Sequence, residues 1–170
     1  MTDDFRSMAS KAKQAHDARV SQRETEKESE KALRKEKIEK AVDALRSEVL
    51  PILNEAVQAF SDEGVPCEID YQFEIEEGLG GWPNVTFQCF GPEDTSKSRA
   101  FTPQSIKLHI ECNGQNHVVK TSSHPILQLS NKEVGVVAVG KAKSLLRRAI
   151  HSTMESYFSH LDMIRGVPSS

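Results

Sequence analysis

The chain has 170 residues, enough for one ordinary domain plus an appendage, with 37% hydrophobic and 28% charged residues. Its net charge of −3 is split between residues 1–46, with twelve Lys or Arg against ten Asp or Glu, and the remainder, with ten against fifteen. That is too shallow a basic field for nucleic-acid binding by charge alone, and no apolar run approaches the length of a membrane span.

The acidic start Met1-Thr2-Asp3-Asp4 is followed by no apolar segment of the kind a secretory signal needs, so a cytoplasmic protein is expected. Residues 1–37 are rich in Ala, Lys, Gln, Glu and Arg but carry no apolar stripe. Val20 and Leu33 are their only large aliphatics after Met8. A helix without a greasy face has nothing to dock, so this stretch reads as a charged arm, helical or disordered. The domain proper is expected over 38–164, with a flexible tail at 165–170.

From Ile38 the pattern changes. Ile38, Val42, Leu45, Val49, Ile52, Ala56 and Phe60 recur at spacings of three and four, a heptad-like seam. The seam divides at Pro51, which removes a backbone donor and predicts a kink or break. The part after Pro51 is expected to cover a sheet. The part before it, Ile38, Val42, Leu45 and Val49, is expected to protrude as the coiled-coil seam of a homodimer. Gly64 and Pro66 then stop the helix.

A strand block follows. In Glu68–Glu76 the residues Ile69, Tyr71, Phe73 and Ile75 alternate with acidic or amide side chains, which predicts one greasy and one acidic face. Glu77–Asn84 is a loop with three glycines and the only Trp. Leu79 and Trp82 there either cap the end of the core or stand out as an anchor for a partner. Val85, Phe87 and Cys89 mark a second strand. Gly91–Pro103 is a polar connector, and Ile106, Leu108 and Ile110 mark a third strand with Lys107, His109 and Glu111 on its other face.

Asn113-Gly114 signals a hairpin. A two-residue turn sets Lys107 opposite Lys120, whereas a four-residue loop, Asn113–Asn116, sets His109 opposite Lys120 and Ile110 opposite Val119. A fifth strand is expected at Ile126–Leu129. Ser130-Asn131-Lys132-Glu133 has the spacing of a capping box, but the Gly and β-branched residues of Val134–Val139 form helix poorly, so 132–140 stays open between helix and strand. From Lys141 the stripe Ala142, Leu146, Ile150, Tyr157 and Leu161 predicts a helix ending near Arg165. The fold class is α+β: a two-layer sandwich of a five-stranded antiparallel sheet with two flanking helices, preceded by the arm.

Four patterns resemble chemistry. Gly135-Val136-Val137-Ala138-Val139-Gly140-Lys141 matches the first seven positions of a P-loop, but Ala142 stands where the Mg²⁺-binding hydroxyl belongs. His109, Lys107 and Glu111 share a face that Glu68, Asp70 and Glu74 join if the first and third strands are neighbours; ordinary cross-strand pairs explain such a set better than a metal does. Lys141, Lys143, Arg147 and Arg148 make the last helix basic, yet the glutamates interleaved in the arm suit a solvated helix. Cys67, Cys89 and Cys112 have no C-x-x-C spacing and read as buried free thiols. No catalytic constellation, metal or cofactor is expected. The expected function is non-enzymatic: an intracellular protein–protein interaction module acting through the arm, the aromatic loop or the open sheet face. The alternatives are an enzyme with an acidic and His site on the sheet face, or a nucleic-acid binder using the basic residues of the arm and last helix.

Overall fold

Helix α1, Thr2–Ala44, carries the arm, and every side chain from residue 4 to residue 36 is exposed. A computed structural model describes residues 2–76, 80–90, 106–123 and 130–165, and the chain separates into two compact units, Met1–Lys37 and Ile38–Ser170. Within the first unit, local side-chain bonds link successive helical turns. Gln22 Nε2 donates to Glu26 Oε1 at 2.9 Å and the Thr25 hydroxyl donates to the Ser21 carbonyl at 2.9 Å. Such one-turn contacts support a helix that buries nothing.

In the second unit α1 passes through a π-turn, Leu45–Val49, into α2, Leu50–Asp62. The Leu50 N–H reaches the Leu45 carbonyl, five residues back. Pro51 falls in the first turn of α2, where its missing N–H costs least, so the expected break is a widened turn and the helical path goes on. A π-turn adds the equivalent of one residue and changes the helical phase by about 100°. That change decides which side chains meet the sheet. Downstream they are Ile52, Leu53, Ala56 and Phe60, and upstream Ala41, Ala44 and Leu45, while Ile38 and Val42 are half-buried. The straight dimer seam is therefore corrected: Leu45 and Val49 are 0% exposed, in the domain's own core, and packing reaches ten residues further back than Pro51.

The sheet contains β1 (Cys67–Gln72), β2 (Asn84–Cys89), β3 (Ile106–Cys112), β4 (Asn116–Ser123) and β5 (Ser130–Ala138), antiparallel and in sequence order. β1 ends at Gln72, four residues short of the expected strand, because Asn84 is the first residue of β2 and pairs with Gln72. Phe73 is therefore half-buried beyond the ladder, stacked on the exposed Tyr71 at 4.8 Å with the Arg46 guanidinium 5.0 Å from its ring centre. The hairpin takes the four-residue loop, with His109 opposite Lys120 and Ile110 opposite Val119. Asn113 Oδ1 accepts from the N–H groups of Gln115 and Asn116 at 2.9 and 2.8 Å, and Gly114 supplies the φ of +85° that closes the loop.

The last strand is the main correction to the element order. The stretch with capping-box spacing, Ser130–Glu133, lies in β5 and not at a helix start; Ile126–Leu129 lies outside the described residues. β4 offers a row of backbone donors and acceptors, and the β-branched run Val134–Val139 suits a strand better than a helix. α3, Ala142–Arg165, then returns over the greasy face, where Leu145, Leu146, Ala149, Ile150 and Tyr157 join the core. α2 meets β1 and α3 meets β3, β4 and β5, so both cover the same side. At the centre Phe60 meets Phe87 edge-on with ring centres 5.4 Å apart, and the Tyr157 hydroxyl donates to the Phe90 carbonyl at 2.7 Å. Cys89 and Cys112 are buried and Cys67 is half-buried; all three are free, and burial pushes each thiol pKa up.

Candidate functional site

Strand alternation that sends Val85, Phe87, Leu108 and Ile110 inward sends their neighbours to the opposite face. The register aligns Asp70, Thr86, His109 and Lys120 in one row across four strands, and Glu68, Gln88 and Lys107 in a second. These seven residues, with Thr121, line a cavity of about 380 Å³ on the outer face. That is near the lower end of the range for small-ligand sites. Carboxylates stand at the β1 side and ammoniums on β3 and β4, with amide, hydroxyl and imidazole between them. Towards β5 this face turns apolar, with Val118 half-buried and Val134 and Val136 exposed.

Thr86 Oγ1 and His109 Nδ1 lie 3.1 Å apart. Burial lowers the His109 pKa from its usual value and Lys120 adds to the effect, while Glu111 opposes it. Near neutral pH the ring is therefore uncharged. The sequence grouping of His109 with Glu68 and Asp70 holds to the extent that all three line one cavity, but β2 lies between β1 and β3. Glu74 is beyond the end of β1 and does not contribute to that lining. Among the described residues no three His, Cys, Asp or Glu side chains form a group that could hold a metal ion.

A second polar cluster lies on the inner side. Glu48, from the π-turn, accepts the Gly140 N–H with both carboxylate oxygens, at 2.7 and 2.8 Å. Gly140 adopts φ of +88°, which suits glycine in the turn between β5 and α3. This resolves the P-loop resemblance: Gly135 is inside β5, and one backbone donor that a phosphate would use is bound by a carboxylate of the protein. His117 is 0% exposed, with Nε2 3.4 Å from Glu48 Oε2 in poor alignment, so neither ring nitrogen has a hydrogen-bond partner. Burial lowers the His117 pKa, and Glu48 opposes that shift. Sequence reasoning missed this cluster because Glu48 and Gly140 are 92 residues apart and no local spacing links them.

Of the expected partner-binding pair, Trp82 is half-buried next to the buried Pro83, and Leu79 lies outside the described residues. Of the expected dimer seam, Leu45 and Val49 are core residues, leaving only Ile38 and Val42 partly accessible. Lys141, just before α3, and Lys143, Arg147 and Arg148 on it are exposed, and Arg147 pairs with Glu55 at 3.2 Å. No helix of the described residues is long and apolar enough to cross a membrane. Comparison with protein-family models, with curated proteins and with solved structures found no match to this chain.

Proposed function

We propose that the protein is a non-enzymatic binding module whose outer sheet face receives a segment of a partner protein. The supporting observation is the concave polar cavity framed by Glu68, Asp70, Lys107 and Lys120, on the side of the sheet opposite α2 and α3. Half-buried Glu68 and exposed Asp70 at one end, and half-buried Lys107 and Lys120 at the other, suit a partner with complementary charges, and such pairing favours specificity and fast association. The reading is of an intracellular protein and invokes no cofactor, and with Leu45 and Val49 in the core it does not draw on the expected dimer seam.

Thr86→Arg tests this reading by filling the middle of the face. Proteins retained from a lysate by the wild type are expected to be lost with the variant, circular dichroism confirming that it stays folded. The same retained set with both proteins overturns the reading. One observation favours an enzyme instead: the Thr86 hydroxyl sits 3.1 Å from an uncharged imidazole, the arrangement of a nucleophile beside its base. Turnover of an activated ester that disappears in His109→Gln would decide for it.

A further inference from the structure

Lys107 and Lys120 both line the outer cavity and both are half-buried, and on its β5 side Lys120 stands opposite Glu133. Lys120 stands opposite His109, and Lys107 is two residues from His109 along β3, so the lysines are diagonal neighbours. Diagonal positions on an antiparallel pair are about 7 Å apart at Cβ, within reach of one shared group for side chains this long. Two like charges held half out of water repel each other, and an anion between them removes that repulsion. The His109 ring lies in the same corner and can present an N–H to such an anion.

We propose that Lys107, His109 and Lys120 form an oxyanion subsite facing the Glu68 and Asp70 carboxylates. The ligand is then a dipolar peptide segment with a carboxylate or phosphate at one end and a basic side chain at the other. This rests on the outer face being the binding surface, and it adds the chemistry of what is bound. β1 and β3 are two strand spacings apart, about 10 Å, and an extended peptide advances about 3.3 Å per residue. The two charges of the ligand are therefore about three residues apart. Phosphorylated Ser or Thr and plain Asp or Glu are the two sources of such an anion.

The test titrates the full chain with inorganic phosphate and, separately, with succinate while NMR follows the histidine ring protons. The His109 signals are expected to shift and saturate, with a raised titration midpoint, because a nearby anion favours the charged ring. His16 and His151, exposed and outside the cavity lining, are expected to stay still. Lys107→Gln combined with Lys120→Gln should weaken the response about tenfold, the loss of one or two charge-assisted contacts. Lys120→Gln alone should weaken it less and serves if the double variant does not fold. A preference for phosphate assigns a phosphorylated segment, and a preference for succinate an acidic one. A still His109, or an unchanged response in the lysine variants, overturns the subsite. Thr86→Arg separates the two claims. Partner retention lost in that variant while His109 ignores anions keeps the face and discards the subsite. Anion binding without any face-dependent partner does the reverse.

Discussion

The two faces of the sheet are built from the same strands and obey different rules. Inside, Val85, Phe87, Leu108, Ile110 and Val119 are fully buried, and each fits only because α2 and α3 complete the packing around it. Outside, Glu68, Asp70, Thr86, Lys107, His109 and Lys120 meet across the strands and leave space between them. The inner face shows that alternation fixes the fold. The outer face shows that alternation leaves a second set of side chains that the core does not use.

The sharpest way to break this contrast is Leu45→Glu. Leu45 is completely buried in the π-turn, and an unpaired carboxylate there costs about 3–5 kcal/mol, a large part of a typical domain's stability. Loss of cooperative unfolding by circular dichroism is expected; a folded variant with altered self-association would restore Leu45 to a dimer seam. Next comes Phe87→Ala, at the centre against Phe60, with an expected cost of about 3–5 kcal/mol in urea unfolding. Phe73→Ala, on the same greasy side but past the end of the ladder, should cost only about 1 kcal/mol. Equal losses would mean that something covers Tyr71 and Phe73. The smallest effect is a pH dependence. The His117 pKa in the folded protein is below its ordinary 6.5, so folding favours the neutral ring. The stability from this group is fully present above about pH 6.5 and is lost as the pH falls towards the lowered pKa. Melting temperature should decline on acidification below pH 6.5, and less so in His117→Asn. His109 acts in the same direction, so the comparison is made in a His109→Gln background.

Most of the inner face was legible in the sequence. Phe87 and Leu108 show period two, Leu146 and Ile150 show helical spacing, and Asn113-Gly114 marks the β3–β4 hairpin. Three features were not legible, each for a physical reason. β5 lacks alternation, since Val134 to Val139 is apolar on both faces, and Ser130 and Glu133 imitate a helix cap. The π-turn leaves no mark in a list of apolar positions. It is defined by the bond from Leu50 to Leu45, and it moves the buried set to Ala41 and Ala44. The outer cavity depended on strand order. Only the pairing of Thr86 with both Asp70 and His109 shows that carboxylates and lysines face each other across β2.

The place of α3 in the chain also sets a schedule for synthesis. β2 to β5 each pair with the strand made just before, so the meander is able to zip as it emerges. Its greasy side stays bare over β3, β4 and β5 until Leu145 to Tyr157 have followed. Ribosomes add about 5–20 residues per second, so the roughly twenty residues from the end of β5 to Tyr157 take about one to four seconds. For that interval the nascent domain shows a chaperone the surface it later hides. The turn that leads into α3 also bonds an early residue, the Gly140 N–H reaching back to a Glu48 that left the ribosome 92 residues before.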